Sequence, residues 1–339
     1  MKKQSLSSLL KVLLFLSLGI ILVVWKYRGL SSDNKEAMFD SFKHIRWIWM
    51  IPIVIIGFFS HFFRALRWKQ ILEPIDIRPS TTNITLAVLI GYLGNTIIPR
   101  FGEIAKCTIL AKYENVSVDK LVGTIIAERA FDVVTLLLVF AITLGVEFNT
   151  ILPFANNLKN DLSTFSIWKI ILILAAIIAF FILFIKWILP KIKSSKIGGF
   201  IINIGMGLKS IFQIKKPITF IINSLMIWVC YTSMAYIGFL AIPGLEGMGI
   251  MAALAVIAFG SIAMIITPGG IGAYPVIVSQ LLILYGVHEG LGMAYGWVSW
   301  GAQTIVVILL GLSALVLLPI VNKKRLLNGK MEKDTTENC

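Results

Sequence analysis

From Gly247 to Val287 the chain runs for 41 residues without a charged side chain, and long apolar blocks recur along most of its length. A helix needs about 20 apolar residues to cross a bilayer. Blocks of this size make the chain an all-α, polytopic membrane protein. Composition agrees: 58% of the 339 residues are hydrophobic and 14% are charged, against roughly 25% charged in a soluble domain. A mean hydropathy of +0.88 excludes both a soluble globular enzyme and a disordered chain.

Full spans are expected at Leu9–Trp25, Trp47–Phe63, from Ser117 to Val146, and at Ile167–Leu189, Ile218–Leu240 and Leu291–Pro319. The first reads as uncleaved, because Trp25-Lys26-Tyr27-Arg28 follows it where a small-x-small cleavage site would stand. Two further stretches, Ile84–Lys112 and Gly249–Val287, are broken near the middle by Pro99-x-x-Gly102 and by Pro268-Gly269-Gly270-Ile271-Gly272. Backbone freed by Pro and Gly cannot face lipid; it must be buried in protein or line a wet cavity. The expected architecture is therefore about six full transmembrane helices plus two broken re-entrant or short helix pairs. Residues 1–325 form the membrane domain and 326–339 a polar tail.

The net charge of +14 would suggest nucleic acid in a soluble chain. Here the basic residues set orientation instead, and no nucleic-acid partner is expected. With both termini cytoplasmic in a cell membrane, 23 Lys and Arg fall on inside segments and 7 outside, while Arg129 lies within a span. The order span, span, broken pair, span then describes residues 9–146 and again 167–319, starting from opposite sides. Paired Gly/Pro-interrupted segments in inverted repeats point to a transporter's midplane site.

Charges within a span cost about 2.5–3.5 kcal/mol each on insertion scales, which makes Glu128-Arg129-Ala-Phe-Asp132 informative. Glu128 and Asp132 share a helix face and Arg129 reaches Asp132 at three residues' distance. The group carries a net negative charge and calls for another cation. It reads either as a gate in the bundle or as an ion-pair staple. Arg100, Glu103 and Lys106 follow the first break. They suit an anion site at a helix N-terminus or a basic loop on anionic lipid. His61, Arg64 and Arg67 lie on one stripe, fit for lipid phosphate or for interfacial anchoring. Cys107, Cys230 and Cys339 and the three His residues have no metal or disulfide spacing. The Gly270 region lacks the Lys-Ser/Thr of a phosphate loop. No cofactor or metal is expected. Gly286-x-x-x-Gly290 and Gly292-x-x-x-Gly296 are close-packing patterns, which could also join copies of the chain.

Four segments taken together, Arg64-Ala-Leu-Arg67-Trp68, Pro99-Arg-Phe-Gly102-Glu103-Ile-Ala-Lys106, Glu128-Arg129-Ala-Phe-Asp132 and Pro268-Gly-Gly-Ile-Gly272, resemble the transmembrane, flippase-like domain of lysylphosphatidylglycerol synthases. The likeness covers roughly residues 10–320. Pro275 stands where that family often has Glu, and the soluble aminoacyl-transfer domain of the full synthases does not follow Lys323. Lysyl transfer is therefore not expected of this chain. The resemblance implies movement of an anionic phospholipid or lipid-linked head group between leaflets, with membrane lipids as partners. Arg64, Arg67, Arg100, Glu103, Lys106, Glu128, Arg129 and Asp132 would bind it, and Pro99, Gly102, Pro268, Gly269, Gly270 and Gly272 would line the path. Alternatives are a membrane enzyme or enzyme subunit acting on a lipid-linked sugar, with Glu103, Glu128 and Asp132 as acids or metal ligands, and a lipid-binding scaffold.

Overall fold

A computed structural model of the chain describes residues 19–98, 100–148 and 210–323, together with Ser17 and Thr150. The predicted span at 167–189, the basic loop after it, Pro99 and most of the first span lie outside the described residues. Within them the protein is helical, with no strand. The helices are α1 (residues 19–29), α2 (Ser32–Lys43), α3 (Met50–Leu72), α4 (Thr81–Ile97), α5 (Phe101–Glu114) and α6 (Val118–Val146). After the gap come α7 (Pro217–Ala241), α8 (Ile250–Ile266), α9 (Ala273–Ile283) and α10 (Glu289–Val321).

Among the described residues three helical segments are long and apolar enough to cross a membrane: Trp47–Ile75, Pro217–Ala241 and Glu289–Val321. Their outward faces carry exposed apolar side chains such as Ile55, Leu225 and Leu315, and α6 adds Val134 and Leu137. In water such a surface would be an aggregation hazard; against acyl chains it costs nothing. Local signals set several boundaries. The Ser31 and Ser80 hydroxyls accept from the N–H groups of Asn34 and Asn83 at 3.2 and 3.1 Å, capping α2 and α4. Ser117 precedes α6 as the sequence suggests, but its hydroxyl makes no capping bond. α3 continues past its predicted end at Phe63 to Leu72, and this displacement decides where its arginines sit.

Both interrupted stretches are helical hairpins. In the first, α4 and α5 pack together and the chain reverses over Ile98–Arg100, where Arg100 adopts a left-handed φ of 63°. Arg100 lies inside the Pro99-x-x-Gly102 break that the sequence marks. Gly102 serves close approach: a Cβ there would lie 1.8 Å from the Gly91 carbonyl oxygen. In the second, α8 and α9 pack together and Gly269, Gly270 and Gly272 all take positive φ (64°, 73° and 75°). Only glycine adopts that conformation without cost. Trp300 Nε1 fastens this turn by donating to the Gly269 carbonyl at 2.7 Å. The Pro268–Gly270 turn lies against α4, so the second hairpin's tip meets the first hairpin.

Two cores hold these hairpins. One surrounds Trp68, Leu72, Ile84, Leu110 and Leu121, with Trp68 Nε1 donating to Thr124 Oγ1 at 3.0 Å. The other surrounds Phe239, Val278, Leu282 and Tyr295. α3 against α7, and α10 against α4, join the two halves. Gly296 and Gly292 seat α10 on α9: Cβ atoms added there would fall 2.6 Å from Pro275 Cα and 3.3 Å from Ser279 Cα. This small-xxx-small stripe is occupied by a contact within the chain.

Candidate functional site

Helical spacing brings the charged residues together. α3 presents Arg64 and Arg67 three residues apart, α5 presents Glu103 and Lys106 likewise, and α6 presents Glu128, Arg129 and Asp132. Glu128 is wholly buried, and Arg67, Lys106 and Arg64 are exposed by only 1%, 3% and 7%. Glu128 accepts from Lys106 Nζ at 2.7 Å and Arg129 Nη2 at 3.0 Å, with Arg64 and Arg67 each 3.5 Å away. Asp132 accepts from Arg64 at 2.9 Å and from Arg67, and lies 3.2 Å from Arg129. Glu103 is 3.5 Å from Lys106 and 3.7 Å from Arg129.

A buried ion is stable only when it is paired and its remaining hydrogen-bonding capacity is met. Here the cations are shared among carboxylates and aromatic faces. Arg64 lies 5.5 Å from the Tyr92 ring, Arg67 5.7 Å from Phe131 and Lys106 4.7 Å from Trp68, positions that favour a cation over a ring face. Among the described residues four cations face three carboxylates, a surplus of one positive charge. It is also not saturated: the Nε groups of Arg64, Arg67 and Arg129 and Oε2 of Glu103 are buried without a hydrogen bond.

The cluster forms one wall of a cavity of about 1320 Å³. Arg64, Arg67, Glu103, Arg129 and Asp132 reach it, whereas Glu128 and Lys106 sit behind as a buried brace. Arg100 also lines the cavity, exposed, with no ion-pair partner among the described residues. The hairpin turns contribute Ile98, Thr267 and Gly269. Gly102 N–H is already taken by Asn95 Oδ1 at 2.8 Å, so the start of α5 is not an open anion site at that donor. Arg64 and Arg67 are buried and ion-paired within the bundle and do not stand on its outer surface, where the anchoring reading needs them. His61 is buried beside the Tyr92 ring, 4.4 Å between centroids, outside the cavity. Pro275 packs on Gly296, away from the cavity, so the residue at that position does not face the charged wall.

Sequence reasoning did not single out the second wall. It comes from α7, α9 and α10 and includes Trp228, Tyr231, Tyr274, Ser299, Gln303 and Thr304. Tyr231 bridges the walls, its hydroxyl accepting from Arg64 Nη2 at 3.2 Å. The available signal was the pair Ser299 and Gln303, polar groups four apart in an apolar helix. Among the described residues no group of three or more His, Cys, Asp or Glu side chains is placed to hold a metal ion.

A helical protein with three membrane-spanning candidates among its described residues, and a buried ion-paired cluster on the wall of a cavity beside two hairpin turns, is a multi-pass membrane protein. The family model of the lysylphosphatidylglycerol synthase TM region matches residues 8–311, and the chain belongs to that family. Neither the curated proteins nor the solved structures contain a significant match. Membership relates the chain to membrane-lipid handling.

Proposed function

We propose that the chain is a lipid translocase, which moves an anionic phospholipid or lipid-linked head group between the leaflets of the cell membrane. The observation that carries this reading is the cavity's surplus of positive charge beside the hairpin tips. Its rim supports it further: Ile98, Ile104, Ile126 and Ile265 line the cavity yet remain 43%, 59%, 37% and 70% exposed on the apolar surface. An acyl chain can rest on that rim while its phosphate meets Arg100 and then Arg129, Arg64 and Arg67. Arginine suits phosphate by its planar, bidentate donor geometry. The basic-residue bias supports an orientation with both termini in the cytoplasm.

The test is translocation of a fluorescent anionic phospholipid in proteoliposomes. Wild type moves it faster than protein-free vesicles do. Arg129→Ala removes a charge-assisted contact worth about 1.5–3 kcal/mol and slows movement about tenfold or more, while Arg129→Lys retains part of the rate. An Arg129→Ala variant, folded and equally incorporated, that moves lipid at the wild-type rate refutes the role given to this arginine.

A further inference from the structure

The three carboxylates of the cluster are not held alike. Glu128 accepts hydrogen bonds from Lys106 and Arg129, and Asp132 accepts them from Arg64 and Arg67. Glu103 accepts none among the described residues. Its nearest cations, Lys106 and Arg129, stand at 3.5 and 3.7 Å, and its Oε2 is buried without a hydrogen bond. Hydrogen bonds to the charged form hold a carboxylate ionised. Glu128 and Asp132 would weaken such bonds by taking up a proton. Glu103 has none to weaken, and its protonated carboxyl would gain an O–H donor.

Glu103 also stands where a phosphate would arrive. It lies in the first turn of α5, just past Arg100, and lines the cavity with Arg100 and Arg129. A phosphate drawn to these two arginines brings a negative charge up to the carboxylate, and in a site of low dielectric that repulsion is far stronger than in water. Protonation of Glu103 removes it, whatever the total charge of the cluster. Phosphate and proton therefore each strengthen the binding of the other.

The groups around Glu103 do not compete for this role. Arg100 and Arg129 keep their charge at any working pH. Lys106, on the same helix, donates to Glu128. α6 brings Glu128 and Asp132, both already hydrogen-bonded to cations. The Cys107 thiol on α5 and the Tyr92 phenol on α4 belong to classes that ionise only under alkaline conditions. His61 lies outside the cavity.

Taking the translocase reading as its basis, we propose that Glu103 takes up a proton as the lipid phosphate is loaded and returns it as the phosphate leaves, so that proton and lipid travel together. The O–H bond forms at the Glu103 carboxylate with a proton from water on the loading side, and breaks to water on the releasing side. A phosphate monoanion moving with one proton transfers no net charge. A pH gradient then drives the lipid, and a membrane potential does not.

The experiment uses proteoliposomes and acyl-labelled phosphatidylglycerol, a phosphodiester that keeps its single charge across the working range. With equal pH on both sides, the apparent affinity for the lipid is expected to rise about tenfold as the pH falls through the carboxylate's titration. Glu103→Gln should show the high affinity at every pH, and Glu103→Asp should keep the dependence. With a pH gradient imposed and the potential clamped at zero, wild type should accumulate the lipid in the leaflet facing the alkaline side, whereas Glu103→Gln should only equilibrate it. A wild type that moves the lipid but neither responds to pH nor accumulates it overturns the coupling and leaves the translocase reading standing. Accumulation by Glu103→Gln equal to wild type overturns the assignment to this residue. If wild type moves the lipid no faster than protein-free vesicles do under any gradient, the translocase reading falls and this proposal with it.

Discussion

Glu128→Gln is the substitution on which the account of the charged cluster depends most. The carboxylate is fully buried and lies within 3.5 Å of Lys106, Arg129, Arg64 and Arg67. Replacing it by an isosteric amide raises the surplus charge from one to two and leaves Lys106 with Glu103 alone, at 3.5 Å. Breaking a buried ion pair from one side costs about 3–5 kcal/mol, because the stranded ion keeps its desolvation penalty. The assay is reversible unfolding of the purified protein in mixed micelles, run as a cycle with Lys106→Met. Lys106→Met leaves Glu128 three arginine contacts and should cost less than Glu128→Gln. The double variant removes both ions of the pair and should recover stability, with a coupling energy of at least about 1.5 kcal/mol. A Glu128→Gln cost below about 1 kcal/mol, or additive single effects, would refute the claim that these charges form one interdependent network.

Two backbone positions give further tests. Gly102→Ala places a methyl group 1.8 Å from the Gly91 carbonyl oxygen; α4 and α5 must separate, at the upper end of the about 1–3 kcal/mol range for overpacking or beyond, seen as a loss of monodisperse protein on gel filtration. Arg100→Gly relieves a left-handed side-chain-bearing residue, φ 63°, and should raise unfolding stability by up to about 1 kcal/mol, while slowing anionic-lipid translocation by removing the unpaired cation at the hairpin turn.

Much of the fold was legible because bilayer chemistry leaves few options. Uncharged runs long enough to span had to be helices, and the Gly269–Gly270–Gly272 cluster marked a turn that only positive φ could make. The first hairpin was legible as a break, and Arg100 lies within it; that this residue takes the left-handed conformation was not legible, because a left-handed arginine has no composition signal of its own. The contents of the α6 cluster could be anticipated: a net negative group in a span needs a cation. Which cations answered could not, since Arg67 and Arg64 are 65 and 68 residues away from Asp132 in the chain. Arg64, Arg67 and Trp68 looked interfacial because the apolar run ends at Phe63, and hydropathy does not register that α3 continues into a buried, ion-paired segment. Removing Arg64, Arg67 and Lys106 from the inside loops leaves the positive-inside bias in the same sense. The second wall was invisible for the opposite reason: Tyr274, Ser299 and Gln303 are scattered among apolar residues in helices that already had a role as spans.

A translocase of this design must admit a lipid head group to the cavity between the hairpin tips. A phospholipid carrying a photoreactive group on its head, reconstituted with the wild-type protein and illuminated, tests this directly when the cross-linked peptides are mapped by mass spectrometry. Adducts are expected on the cavity-lining segments of α6, α7 and α10, around Arg129, Tyr231 and Gln303. Adducts confined to exposed surface residues such as Trp47 and Lys323, with none in the cavity, would contradict it.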